Sequence, residues 1–123
     1  MNEARDYILV IEDDPNLLLT IRMILEDAGY HVMTAMNGLE GLGIASSGLP
    51  KLIVLDMKMP VMDGWEFARH FYETHGRSTP ILVLTAAEDA RQRAAEIQAP
   101  AFLGKPFDVD EFLALIAKTS SNF

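Results

Sequence analysis

Five side chains able to do chemistry stand at or just beyond the ends of short apolar runs. Glu12 and Asp13 follow "ILVI", Asp56 follows "LIVL", Thr85 follows "ILVL", and Lys105 follows "AFLG" and precedes a proline. An aspartate at the end of an unbroken apolar run is the least expected of them, because desolvating a charge is expensive. If the central runs are adjacent strands, Asp13 and Asp56 meet with Glu12 beside them. Two carboxylates about 4 Å apart repel by roughly 4 kcal/mol at an effective dielectric near 20. A divalent cation relieves that repulsion, and an all-oxygen ligand set with room for water suits Mg²⁺.

Each of these residues also has a plain structural role open to it. Asp14 reads as a helix cap, and Glu12 and Asp13 would favour the positive end of the same helix. Thr85 is a β-favouring residue. Lys105 could be a solvated surface lysine, although the X-Pro bond after it can be cis and would then turn its side chain inward. Asp56 is the hardest to explain by structure alone, and the order of all five along the chain favours a shared site.

The elements that must position them follow from periodicity. Strand-like runs occur at Tyr7–Ile11, His31–Ala35, Leu52–Leu55, Ile81–Leu84 and Ala101–Leu103. Between them lie segments of helical period. Asp14 and Pro15 begin the first helix, Gly29 follows it, and Leu17, Ile21, Ile24, Leu25 and Ala28 are its expected inward stripe. A second helix runs from about Gly38 to Ser46, weakened by Gly41 and Gly43. A third follows Asp63-Gly64 with Phe67, Ala68 and Phe71 inward, and a fourth spans about Glu88–Ile97. Asp108-Val109-Asp110-Glu111 resembles a capping box for a fifth, carrying Phe112, Leu113 and Ile116; only the final "TSSNF" reads as a frayed end. Five strand–helix alternations predict an α/β fold, an open parallel sheet covered on both faces, with ligands gathering outside the carboxyl ends of the strands.

Composition narrows the function classes. The chain has 123 residues, enough for a single domain spanning 1–123, and 50% are hydrophobic against 23% charged, which is ordinary globular material. The net charge is −8, with 18 acids against 10 Lys and Arg, so direct nucleic-acid binding is not expected. With no cysteine, disulfides, thiol catalysis and cysteine-ligated metals are excluded. No apolar run is long enough to span a membrane, and the opening "MNEARDY" carries no apolar signal region, so a cytoplasmic address is expected.

The stretches "VIEDD", "LIVLDMKMPVMDG", "ILVLTA" and "FLGKPF", in this order and spacing, make the chain resemble the receiver domain of two-component response regulators over essentially its whole length. The resemblance implies a flavodoxin-like (βα)5 doubly wound fold, its five-stranded parallel sheet in the order 2-1-3-4-5. It implies Asp56 as phosphoacceptor. Glu12, Asp13 and Asp56 would hold Mg²⁺ with the backbone carbonyl of Lys58, one acid acting through water. Lys105 would pair with a phosphoryl oxygen and Thr85 would donate its hydroxyl to another. Phe102 matches the aromatic switch position, where core packing is the competing role. The implied partners are a sensor histidine kinase or histidine phosphotransfer protein and a downstream target or output domain, the latter not expected within this chain.

Two features depart from the family pattern. The interval from Thr85 to Lys105 is shorter than receivers commonly carry, around "AEIQAPAF", with Pro100 where a Gly-Ala turn is usual. The fourth helix or its exit loop is therefore expected to be abbreviated, so the resemblance is no basis for carrying over the dimer that many regulators form on that face. Lys58 and Ala87 also flank the implied path of attacking water without offering an acceptor to orient it. A flavodoxin-type nucleotide binder is disfavoured by the acids of "EDDPN" after the first strand, and an aspartyl phosphatase by Lys58 where its proton donor would stand. A receiver-like interaction module that takes no phosphate remains the alternative.

Overall fold

Strands this short and this apolar need cover on both faces, and every residue of the first and third is buried. The computed structural model describes residues 6–121. Its elements are β1 (Ile8–Ile11), α1 (Pro15–Asp27), β2 (Val32–Ala35), α2 (Gly38–Ser47), β3 (Leu52–Leu55), α3 (Gly64–His75), β4 (Ile81–Ala86), α4 (Ala90–Ile97), β5 (Ala101–Lys105) and α5 (Val109–Ser121). All strand pairs are parallel, in the order β2-β1-β3-β4-β5. The expected α/β class and strand order are both observed. Among the described residues no helix is long and apolar enough to cross a membrane.

Strand alternation sends successive side chains to opposite faces and so builds two cores. Leu9, Ile11, Ile53 and Leu55 pack with Phe67 and Phe71 of α3 on one side. Ile8, Val10, Leu52 and Val54 pack with Ile21 and Leu25 of α1 and Phe112 and Ile116 of α5 on the other. The register pairs Ile11 with Leu55, so the residues that follow, Glu12 and Asp56, leave the sheet side by side.

The helices begin where their caps allow. Asp14 Oδ1 accepts from the amides of Asn16 and Leu17, and Asp63 Oδ1 from that of Glu66. Asn37 caps α2 in the same way, while Glu40 reaches back to the Met36 amide. Gly41, which looked like a weakness in α2, is a close approach: a Cβ there would lie 2.5 Å from Ile11 Cδ1.

Several boundaries differ from the expectation, each for a local reason. β1 and β2 start one residue later than expected, at Ile8 and Val32. β4 and β5 run on to Ala86 and Lys105 because their polar ends pair with each other, Thr85 with Gly104 and Ala86 with Lys105. α4 starts at Ala90, since residues 86–89 close a turn through the Asp89 amide and the Ala86 carbonyl. It is the shortest of the five helices at eight residues. In α1, Leu18 is buried with Ile21 and Leu25, whereas Ala28 is the C-cap and exposed. Thr119 and Ser120 of the expected frayed end belong to α5, and Thr119 is buried. Asn122 and Phe123, like residues 1–5 of the opening, lie outside the described residues.

The loop after β3 holds a conformation that valine disfavours. Val61 has φ 71°, and the Met62 amide donates to the Pro60 carbonyl at 2.8 Å, a tight three-residue turn. A β-branched residue with positive φ is strained by roughly 1–3 kcal/mol. Val61 is 74% exposed, so little packing is lost on removing its side chain. Val61→Gly is therefore expected to stabilise the fold by about 1 kcal/mol after the greater entropy of the unfolded glycine chain is subtracted. Equal denaturation midpoints for the two proteins would show that the turn carries no strain.

Candidate functional site

Burial delivers Asp56 and Glu12 to the carboxyl edge of the sheet, 6% and 2% exposed respectively. Asp13, half-buried, completes a cluster: Glu12, Asp13 and Asp56 each offer an oxygen, all lying within 4.8 Å of one another. Lys105 Nζ stands against the same group, 2.7 Å from Glu12 Oε1 and 3.5 Å from Asp56 Oδ1. Backbone donors fix both acids. The Met57 amide donates to Asp56 Oδ1 at 2.9 Å, and the Asp14 amide to Glu12 Oε2 at 3.1 Å. Thr85 is buried and lines the same cleft as Asp56, with its hydroxyl near enough to that carboxylate to favour its charged form.

The electrostatics follow from this crowding. Burial raises the pKa of Asp56, and the Lys105 charge, the Met57 amide and the Thr85 hydroxyl offset it only in part. Burial likewise raises that of Glu12, with the bond to Lys105 working against it and the Asp56 charge reinforcing it. For Lys105, burial pulls downward, but the Glu12 bond and the two carboxylate charges outweigh it, and its pKa is raised. All three shifts describe acids placed close together in a poorly solvated spot, with one ammonium for company.

Lys105 is reached through β5. Its peptide with Pro106 is cis. Gly104 lies directly under the loop after β4: a Cβ there would fall 2.3 Å from Ala87 Cα and 2.6 Å from Ala87 Cβ. Since backbone blocks the space, no rotamer change relieves the clash. Gly104→Ala should cost about 1–3 kcal/mol and displace Lys105 from Asp56. Unchanged stability on urea denaturation would refute that close approach. At the other end of the site, Gly64 lets α3 start against the backbone of Asp56 and Met57, where a Cβ would meet the Asp56 carbonyl oxygen at 2.7 Å.

A cleft of about 640 Å³ opens over these groups, with Asp56, Thr85 and Lys105 at its floor and Leu17, Ile24 and Phe107 on its apolar wall. Two side chains of expected site positions face away from Asp56. The Lys58 side chain lines the cleft but reaches outward, 68% exposed, to pair with Asp89 Oδ2 at 3.8 Å. Phe102 lies on β5 with its ring partly exposed under the guanidinium of Arg91, 5.3 Å away, and does not line the cleft. Residues that sequence reasoning missed are Asp89, Gly104 and the Met57 amide. Gly104 carried a signal, as a glycine within a strand beside a charged residue.

The arrangement offers a nucleophilic carboxylate, a cation and a hydroxyl for anionic oxygens, and an oxygen cage for a divalent ion. Residues 8–117 match the response regulator receiver domain family. The response regulator MprA of Mycobacterium sp. (strain KMS) is 40% identical over 119 residues, which cover 92% of this chain and 51% of that protein. This chain thus spans about half the length of the curated relatives it matches. Among solved structures, chemotaxis protein CheY4 of Vibrio cholerae superposes with a TM-score of 0.81 at 32% identity, covering 94% of this chain and 99% of that one. Response regulator TrrA of Thermotoga maritima, solved in complex with Mg²⁺ and BeF, gives 0.83 at 32% identity, covering 93% and 98%.

Proposed function

The chain belongs to the response regulator receiver domain family, whose standard function is phosphorylation-dependent signalling, and from that premise we propose that Asp56 is its phosphoacceptor. The observation that carries the proposal is the setting of Asp56: a buried carboxylate, 3.5 Å from the Lys105 ammonium and within 4.8 Å of two further acids. Asp56 Oδ1 is committed to the Met57 amide, which leaves Oδ2 to attack phosphorus. As the new O–P bond forms, the P–N bond of a phosphohistidine donor breaks and its electron pair leaves with the imidazole. Lys105 and Thr85 then take two of the equatorial oxygens, where charge is spread in the transition state. The domain is a signalling module rather than a conventional enzyme; the catalysis proposed is of its own phosphorylation and dephosphorylation.

The donor set fits Mg²⁺: three carboxylates, oxygen only, crowded enough to repel one another. Glu12, Asp13 and Asp56 would hold the ion with the Lys58 carbonyl, and when bound it would screen the carboxylates from the incoming phosphoryl group. Binding to the native state alone stabilises it, by about 2.7 kcal/mol when the ion is at a hundred times its dissociation constant. Mg²⁺ is therefore expected to raise the melting temperature of the wild type and to do so much less in Asp13→Ala. Equal shifts would place the ion elsewhere.

Family membership implies a histidine kinase as donor in general. A phosphotransfer protein in that role, a cytoplasmic setting, and a separate target or output domain are parts of the same proposal. The test is incubation with acetyl phosphate and Mg²⁺, followed by intact-mass and peptide analysis. One acyl phosphate at Asp56 is expected. Failure to take up phosphate, with partner binding retained, would favour an interaction module that works unphosphorylated.

A further inference from the structure

Four of the five helices begin with a side-chain cap: Asp14 for α1, Asn37 for α2, Asp63 for α3 and Asp108 for α5. Helix α4 has the right residue in place and does not use it. Asp89 sits at its N-cap in a right-handed helical conformation, φ −106° and ψ −16°, and makes no side-chain cap bond. The capping aspartates of α1 and α3 are instead extended, with ψ 110° and 179°. The Asp89 carboxylate is turned toward Lys58, 3.8 Å away. This pair joins the loop that follows Asp56 to the loop that follows Thr85, across the rim of the cleft.

We propose that Asp89 is a positioning residue that shares Lys58 with the phosphoryl group: without phosphate it draws Lys58 aside and leaves α4 uncapped, and with phosphate it releases Lys58 and caps α4. The inference rests on the phosphoacceptor role of Asp56 argued above. Lys58 is two residues from Asp56 and lines the same cleft. A phosphoryl group carries about −1.5 to −2 charges, against one on a carboxylate, and so competes well for the ammonium. The existing pair is easily given up, since its side chains are 68% and 34% exposed and such pairs are weak. Once free, the Asp89 carboxylate has the open amides of Arg91 and Gln92 as its nearest helical donors. Reaching them requires the turn at residues 86–89 to re-form and Asp89 to become extended. Occupancy of Asp56 is thereby converted into movement at the start of α4.

The test is backbone amide exchange at Arg91 and Gln92, followed by NMR in the full chain. Lys58→Ala, without phosphate, is expected to slow exchange about five-fold, the protection a helix cap confers. Phosphorylation of the wild type should slow it similarly, and neither effect should survive when Asp89→Ala is added. Asp89→Ala should also lengthen the acyl-phosphate half-life, but not in a Lys58→Ala background. Unchanged exchange in Lys58→Ala overturns the proposal, as does slowing that persists without Asp89. Mass analysis of the same samples reports on Asp56 separately. Unlabelled Asp56 would defeat the phosphoacceptor reading, while the comparison of unphosphorylated wild type with Lys58→Ala would still decide whether Asp89 is withheld from α4.

Discussion

Asp56→Asn is expected to abolish acyl-phosphate formation and, in the same protein, to raise stability in the absence of divalent metal. The first effect is chemical: a carboxamide keeps the shape of the side chain but is no nucleophile toward phosphorus. The second follows from burial. The pKa of Asp56 is raised in the fold, with desolvation the leading cause. A carboxyl whose folded pKa exceeds its unfolded one adds stability while protonated and loses it as pH rises through the folded value. Above that value the wild type has lost that contribution, and asparagine has nothing to lose. The melting temperature of metal-free Asp56→Asn should therefore exceed that of the wild type at any pH where Asp56 is ionised. The gap should narrow as pH falls through the raised Asp56 pKa. Undiminished labelling at an aspartyl bond in the mutant would end the assignment. A lower metal-free melting temperature would instead show that the contact with Lys105 outweighs burial.

How much of this was legible beforehand depends on the distance over which each signal acts. Asp56 could be picked out because its signal is local, a charge closing a run of buried aliphatic residues. The caps of α1 and α5 were legible for the same reason, each lying within three residues of the amide it serves. Thr85 and Lys105 were recognised, yet placed beyond their strands, because the apolar runs stop before them and only the pairing of the two ends with each other extends the strands. The inward stripe of α1 was assigned by period alone, so Ala28 was included although the helix has ended there, and Leu18 was passed over. The Lys58–Asp89 pair was invisible, since it links positions 31 residues apart through two irregular loops. Through it the Lys58 ammonium is turned toward Asp89 in the absence of phosphate.

The position of Lys105 alters what its removal should do. A lysine that served only to contact phosphate could be deleted at little cost to the fold. Here Nζ is 2.7 Å from Glu12, whose side chain is 3% exposed, so Lys105→Ala leaves a buried carboxylate without its cation. Losing one partner of such a contact costs about 2–4 kcal/mol, discounted because the lysine is itself 23% exposed. Mg²⁺ would supply positive charge to the same acids, so it should restore more stability to Lys105→Ala than it adds to the wild type. It cannot restore the link from phosphate to β5, because that link is the lysine chain itself. With Mg²⁺ present, Lys105→Ala is thus expected to melt near the wild type and still bind beryllofluoride weakly. The conformational response of β5, read at the Phe102 ring, should be lost. Two measurements decide the matter: melting with and without Mg²⁺, and the Phe102 resonances with and without beryllofluoride. A mutant that Mg²⁺ leaves as unstable as before would mean that Lys105 supports the fold by packing. A full response at Phe102 would mean that the ammonium does not carry the signal.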